Sequence, residues 1–97
     1  PYLIFMRSMD FVTVYDSRTL NNSTKTRYEG PAAWVILFCN ESLKTLEQIQ
    51  EHVESQGKEK YGDRLIEDVV QDLESKRILY GENGKYLTLA LPHNSQL

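Results

Sequence analysis

The sequence predicts an α+β fold, and three observations carry that prediction. Two strand-like stretches, residues 11–16 and 25–29, stand on either side of a polar turn. Two amphipathic helical patterns, residues 45–55 and 63–77, follow an apolar segment at 32–38. The second helical pattern runs straight into an Asn83-Gly84 turn between two short β-like runs. Helix, helix and two-stranded wing is the outline of a winged helix-turn-helix. The expected architecture is an N-terminal β-hairpin or three-stranded sheet, three helices and a C-terminal β-hairpin wing. A length of 97 residues sets this in one domain, residues 1–97.

Each element has a local cause. Pro1-Tyr2-Leu3-Ile4-Phe5-Met6 is apolar but lacks the basic start and cleavage site of a signal peptide, so residues 1–10 are expected as an extra strand or a linker. No initiator Met precedes them, and the chain reads as a piece of a longer enzyme. Residues 11–16 alternate and are rich in β-branched and aromatic side chains, a strand signal. Leu20-Asn21-Asn22-Ser23-Thr24 is a polar turn, and residues 25–29 resume a strand that pairs back as a hairpin. Lys25 and Arg27 suit an exposed edge. Tyr15 and Tyr28 fall on these two strands, either as a cross-strand pair or with one of them facing a groove. Gly30-Pro31 stops the second strand, and Pro31 fits the first turn of a helix, where its missing N–H costs nothing.

Residues 32–38 are apolar on every side, and periodicity alone does not separate a buried helix from a buried strand. Pro31 and two alanines favour a helix, placed at the centre of the core. Trp34 and Phe38, four residues apart, are expected to stack on one face of it. Asn40-Glu41-Ser42 is a break. Thr45-Leu46-Glu47-Gln48 is a capping box that starts the second helix, with Leu46, Ile49 and Val53 on one face. Gly57 ends it in the polar loop 55–60. Asp63 is placed to cap the third helix. There Leu65, Ile66, Val69, Val70 and Leu73 form a stripe opposite Arg64, Glu67, Asp68, Gln71 and Asp72. Residues 78–80 and 85–91 then flank the turn of the wing. Pro92 ends the last strand, and residues 93–97 form a frayed tail.

Composition narrows the function classes. Hydrophobic residues are 40% and charged residues 26% of the chain, ordinary for a globular domain. The net charge of −3 argues against nucleic acid and anionic membranes as partners. Over residues 63–77, Arg64, Lys76 and Arg77 are outnumbered by Asp63, Glu67, Asp68, Asp72 and Glu74, a net of −2. That charge repels phosphates, whose contacts supply most of the affinity for DNA. The longest apolar run, residues 32–39, is far too short to cross a bilayer. Cys39 is the only cysteine, so no internal disulfide forms, and a lone buried thiol fits a reducing, cytoplasmic setting.

Catalytic chemistry is not legible. His52 and His93 lie in different elements with no cysteine or carboxylate at ligand spacing, and His52 reads as a helix-surface residue. Glu67 and Asp68 are adjacent on a helix and diverge by about 100°, which rules out an acid/base pair. Phosphate loops and nucleophile motifs are missing from the sequence. The expectation is a non-catalytic chain with no metal or cofactor of its own. What remains is a surface. An exposed edge strand beside an amphipathic helix accepts an extended peptide by strand addition, with main-chain hydrogen bonds setting register.

The order of elements also resembles a known family. The N-terminal strands, a buried helix ending in Leu37-Phe38-Cys39-Asn40-Glu41, the Thr45-Leu46-Glu47-Gln48-Ile49 helix, the helix that runs from Val69 to Leu79 and the terminal hairpin are similar to the PqqD-like domain, or RiPP recognition element. More narrowly, the VYDSR strand (residues 14–18), YEGPAAWVILFCNES (28–42) and GKYLTLALP (84–92) resemble the C-terminal region of radical-SAM peptide maturases, a group that includes cobalamin-dependent methyltransferases. The resemblance covers residues 11–92. It implies a module that binds the leader segment of a ribosomally made precursor peptide, bacteriocin-like in class, and presents it to a maturase.

In that family the leader adds antiparallel to the third strand and packs on the third helix. The resemblance therefore implies a site at Lys25, Thr26, Arg27 and Tyr28 on the strand and at Arg64, Glu67, Asp68 and Gln71 on the helix. Arg27 and Arg64 would meet leader carboxylates, and Glu67, Asp68 and Gln71 basic or polar positions. It also implies a parent catalytic domain carrying an iron–sulfur cluster and S-adenosylmethionine. The CxxxCxxC motif of that chemistry is not in this sequence, so catalysis is not carried over. Two other readings stand beside this one: a DNA-binding winged helix of a transcription regulator, and a structural or homodimerising module of a larger enzyme, for which the apolar residues 1–6 speak.

Overall fold

The computed structural model describes residues 1–57 and 60–93. Among these residues the chain is α+β, with three helices and two sheets. β1 (Leu3–Arg7), β2 (Phe11–Asp16) and β3 (Thr24–Glu29) form an antiparallel meander that leads directly into α1 (Gly30–Glu41). After α1 come β4 (Lys44–Thr45), α2 (Leu46–Gln56), α3 (Asp63–Ser75), β5 (Leu79–Glu82), β6 (Lys85–Thr88) and β7 (Leu91–Pro92). The first sheet has the order β3-β2-β1-β7, the second β4-β6-β5.

The meander follows from alternation. Phe5 lies opposite Val14, and Val12 opposite Tyr28, so these side chains share one face, and all four are buried. Residues 1–10 thus supply a strand, not a linker. Gly30 turns the chain into α1 with φ +58, a conformation that glycine adopts without the usual Cβ clash. The apolar run 32–38 is a helix, as Pro31 in its first turn signals, and it buries Ala33, Val35, Ile36 and Cys39. α2 carries the full capping box: the Gln48 N–H donates to Thr45 Oγ1 at 3.1 Å, and the Thr45 N–H donates to Gln48 Oε1 at 2.8 Å.

α3 departs from expectation at its start. Gly62, not Asp63, is the N-cap, and no side chain caps it. Asp63 is instead the first helical residue, where the helix dipole still favours a carboxylate. Ile66, Val70 and Leu73 are buried, each worth roughly 1.5–3 kcal/mol over an exposed position. Leu65 is 46% exposed, so the apolar stripe is wider than the surface that covers it.

The two aromatic expectations are corrected. Tyr15 lies opposite Lys25 and Tyr28 opposite Val12, so the tyrosines are on opposite faces of the sheet and do not pair. Trp34 and Phe38 do not stack on one another. Trp34 meets Tyr61 edge-on at 5.9 Å, and Phe38 lies flat on His52 at 4.0 Å and 4°. Chain segments packed against α1 offer each ring a closer partner than the next helical turn. His52 is accordingly half-buried, not a surface residue.

The β5–β6 hairpin turns at Asn83 (φ 54) and Gly84 (φ 74), the positive pair of a two-residue hairpin turn. It also gains a third strand that the sequence did not signal: β4, pairing Lys44 with Tyr86 and Thr45 with Lys85. The expected strand 85–91 breaks after Thr88, whose hydroxyl donates to the Ile36 carbonyl at 2.7 Å and pins β6 to α1. Past that break the chain crosses to the first sheet, where Leu91 and Pro92 pair parallel with Ile4 and Phe5. Pro92 therefore belongs to a strand, at an edge where its missing N–H is harmless. Of the expected tail, His93 is tied down by its N–H, which donates to the Phe5 carbonyl at 2.8 Å. Residues 94–97, and 58–59 of the polar loop, lie outside the described residues.

Candidate functional site

β3 is the outer strand of its sheet; among the described residues it pairs with β2 alone. Tyr28 is its one buried side chain. Strand alternation sorts the rest. Thr24, Thr26 and Tyr28 share the face of buried Val12 and Val14, toward the helices. Lys25, Arg27 and Glu29 lie on the outer face, with Phe11 and Tyr15. There the Arg27 guanidinium sits 3.6 Å from the centre of the Phe11 ring and pairs with Glu29 at 2.9 Å. Lys25 Nζ stands 5.7 Å over Tyr15.

The last turns of α3 approach the helix-facing side of β3. Lys76 Nζ lies 5.9 Å from the Tyr28 ring centre and 3.0 Å from Asp72 Oδ2. Burial pushes the Tyr28 phenol above its ordinary pKa, and the Asp72 carboxylate raises that of Lys76. Asp72 and Lys76 fix which sector of α3 faces β3. At about 100° per residue, Leu65 and Val69 fall in the same sector and Asp68 at its margin. β3 and α3 thus meet at Tyr28 and Lys76, and the sector of α3 that leads away from this contact carries Leu65, Val69 and Asp72, with Leu65 exposed.

Of the eight positions the sequence singled out, Tyr28 meets Lys76 at the end of α3, Thr26 shares its face of β3, and Asp68 lies at the margin of the α3 sector that carries Asp72. Lys25 and Arg27 lie on the far face of the strand. Arg64 and Gln71 project from the exposed back of α3. Glu67 falls in the sector of Glu74, whose carboxylate lies beside Gly81 of β5. Asp72 and Lys76 were read as parts of a helix, not as neighbours of Tyr28. The i,i+4 spacing of Asp72 and Lys76 was legible, but not which way it faced.

Arg18, in the loop after β2, is the site residue the sequence gave least reason to expect. Its Nε and Nη2 donate to the two oxygens of Asp16 at 3.0 and 2.8 Å. Its Nη1 donates to the Arg77 carbonyl at 2.8 Å, and Nη2 also to the Lys76 carbonyl at 3.1 Å. Hydrogen bonding to Arg18 holds the Asp16 carboxyl below its ordinary pKa.

A concavity lies away from this edge, an open groove of about 680 Å³ between the β1–β2 turn, α1 and α2. Arg7, Phe11, Trp34, Phe38, His52 and His93 are among its lining residues. Burial lowers the pKa of His52. Among the described residues no three His, Cys, Asp or Glu side chains gather to hold a metal ion. Burial pushes the Cys39 thiol up to about 12, which leaves no thiolate for chemistry near neutrality. No described helix is long and apolar enough to cross a membrane. Comparison with models of protein families, with curated proteins and with solved structures finds no match for this chain.

Proposed function

We propose that this chain is a winged-helix peptide-binding module that takes up the leader segment of a ribosomally made precursor peptide and delivers it to a radical-SAM maturase. The observation that carries the reading is the edge of β3, paired on one side only among the described residues, with its Tyr28 ring 5.9 Å from Lys76 at the end of α3. A peptide added there gains main-chain hydrogen bonds from β3, and alternate side chains enter the groove against α3. Leu65 and Val69 favour an apolar side chain, and Asp68 with Asp72 a basic or polar neighbour. The order α1-β4-α2-α3-β5-β6, with β4 added to the β5–β6 hairpin, supports the winged-helix part of the proposal.

Electrostatics separates this from DNA recognition. Over Asp63–Ser75, α3 presents Arg64 as its one cation against five carboxylates. Polypeptide is the guest that such a helix tolerates. The test is an anisotropy titration with a fluorescently labelled synthetic leader, taken from a short reading frame encoded beside the parent gene. Saturable binding on the order of micromolar affinity is expected. A flat titration with the fold intact by circular dichroism contradicts the proposal.

A further inference from the structure

We infer that Arg18 is a positioning residue for the proposed β3–α3 groove: it clips the end of α3 to the β2–β3 hairpin and so sets the approach of Lys76 to Tyr28. This rests on the reading of that groove as the peptide site. Asp16 pairs across the hairpin with Thr24, the first residue of β3. The Arg18 fork holds Asp16 in a bidentate pair, so the guanidinium is fixed to the strand that carries the site. The same fork reaches the carbonyls of Lys76 and Arg77, the two residues that follow α3.

The last turn of α3 is already satisfied, with the Asp72, Leu73 and Glu74 carbonyls accepting from the N–H groups of Lys76, Ile78 and Arg77. The Lys76 and Arg77 carbonyls lie just past that turn, where the Arg18 fork is their side-chain donor. Arg77 also stands at φ +58, an unfavourable conformation for a side chain with a Cβ. With its carbonyl bound by Arg18, the chain is held in that conformation as it leaves α3 for β5. Lys76 links this clip to the groove, because its carbonyl is held by Arg18 while its side chain stands by Tyr28. A lysine at position 18 keeps the charge but has no planar fork to engage a carboxylate and two carbonyls together.

The experiment compares wild type with Arg18→Ala, Arg18→Lys and Asp16→Asn in two measurements. The first, on the peptide-free protein, is the set of nuclear Overhauser contacts between the Tyr28 ring and the Lys76 methylenes. The second is the affinity for the labelled leader. Loss of those contacts in Arg18→Ala is expected, with at least roughly tenfold weaker binding, a smaller loss in Arg18→Lys, and the dispersed spectrum of a folded protein throughout. Unchanged Tyr28–Lys76 contacts in Arg18→Ala overturn the inference, as does unchanged affinity. If wild type binds no leader, the peptide reading fails, and the contacts alone decide the role of Arg18. If Arg18→Ala does not fold, Arg18→Lys and Asp16→Asn decide it by the same two readouts.

Discussion

The two edges of the first sheet are built differently. β3 is six residues long, exposed along most of its length and met near one end by Lys76 at the end of α3. β7 is two residues long, and one of them is Pro92. An edge strand is a template for another chain unless something blunts it, and short strands and prolines are common blunting devices. β7 is blunted in both ways. β3 carries only Lys25 and Arg27, and both are drawn onto the outer face by Tyr15 and Phe11. The difference teaches where strand addition is physically possible: at β3, not at β7.

Proline substitutions give the largest expected effect on this contrast. In an antiparallel edge strand successive residues alternate between bonding the neighbour and pointing N–H outward. Proline at an outward-facing position among Lys25, Thr26 and Arg27 lowers leader affinity by about 100-fold or more while stability changes little. Proline at the intervening position destabilises the sheet instead. Leu91→Pro on β7 leaves affinity unchanged. Equal losses at both edges, measured by titration and thermal melts, would break the comparison.

Leu65→Ala comes next. The side chain is 46% exposed, so its truncation costs under about 1 kcal/mol of stability, yet it removes the groove floor and weakens binding by about fivefold. A parallel drop in melting temperature would make Leu65 a core residue, not a groove residue.

The pH dependence of the two sides of the molecule sharpens the contrast further. Asp16 has a lowered folded-state pKa, so its pairing with Arg18 contributes fully above the unfolded value near 3.8 and is lost only as pH falls through a still lower value. The Asp16–Arg18 pair is therefore insensitive between pH 5 and 8. His52 on the α1–α2 side also has a lowered pKa, so its contribution is complete above the unfolded value of 6.5 and is lost as pH falls through the folded one. Melting curves at pH 5 and 7.5 are expected to differ in wild type and to converge in His52→Gln. A smaller effect still is Thr45→Ala, which removes one half of the capping box at a cost of about 1 kcal/mol without touching affinity.

The sequence was readable where a local rule decides the outcome. Alternation in residues 11–16 and 25–29 fixed a hairpin, Pro31 fixed the start of α1, Thr45 and Gln48 closed a capping box, and Asn83-Gly84 turned the β5–β6 hairpin. It was not readable where partners distant in the chain decide. β4 is two residues with no strand pattern of its own and exists because β6 pairs with it. β7 exists because Ile4 and Phe5 offer an open side. The groove shows the same division. The exposed edge could be read from Lys25 and Arg27, but the sector of α3 that faces it depends on Lys76 meeting Tyr28. Arg18 acts on carbonyls 58 and 59 positions away, which no spacing reveals.

The central claim is that β3 receives a peptide strand, and amide hydrogen exchange with and without saturating labelled leader tests it most directly. The account predicts that the outward-facing N–H groups within Thr24–Glu29 exchange rapidly in the free protein and become strongly protected in the complex, while β7 is unaffected. Bound leader that leaves β3 exchange unchanged, or protects the α1–α2 groove instead, contradicts it.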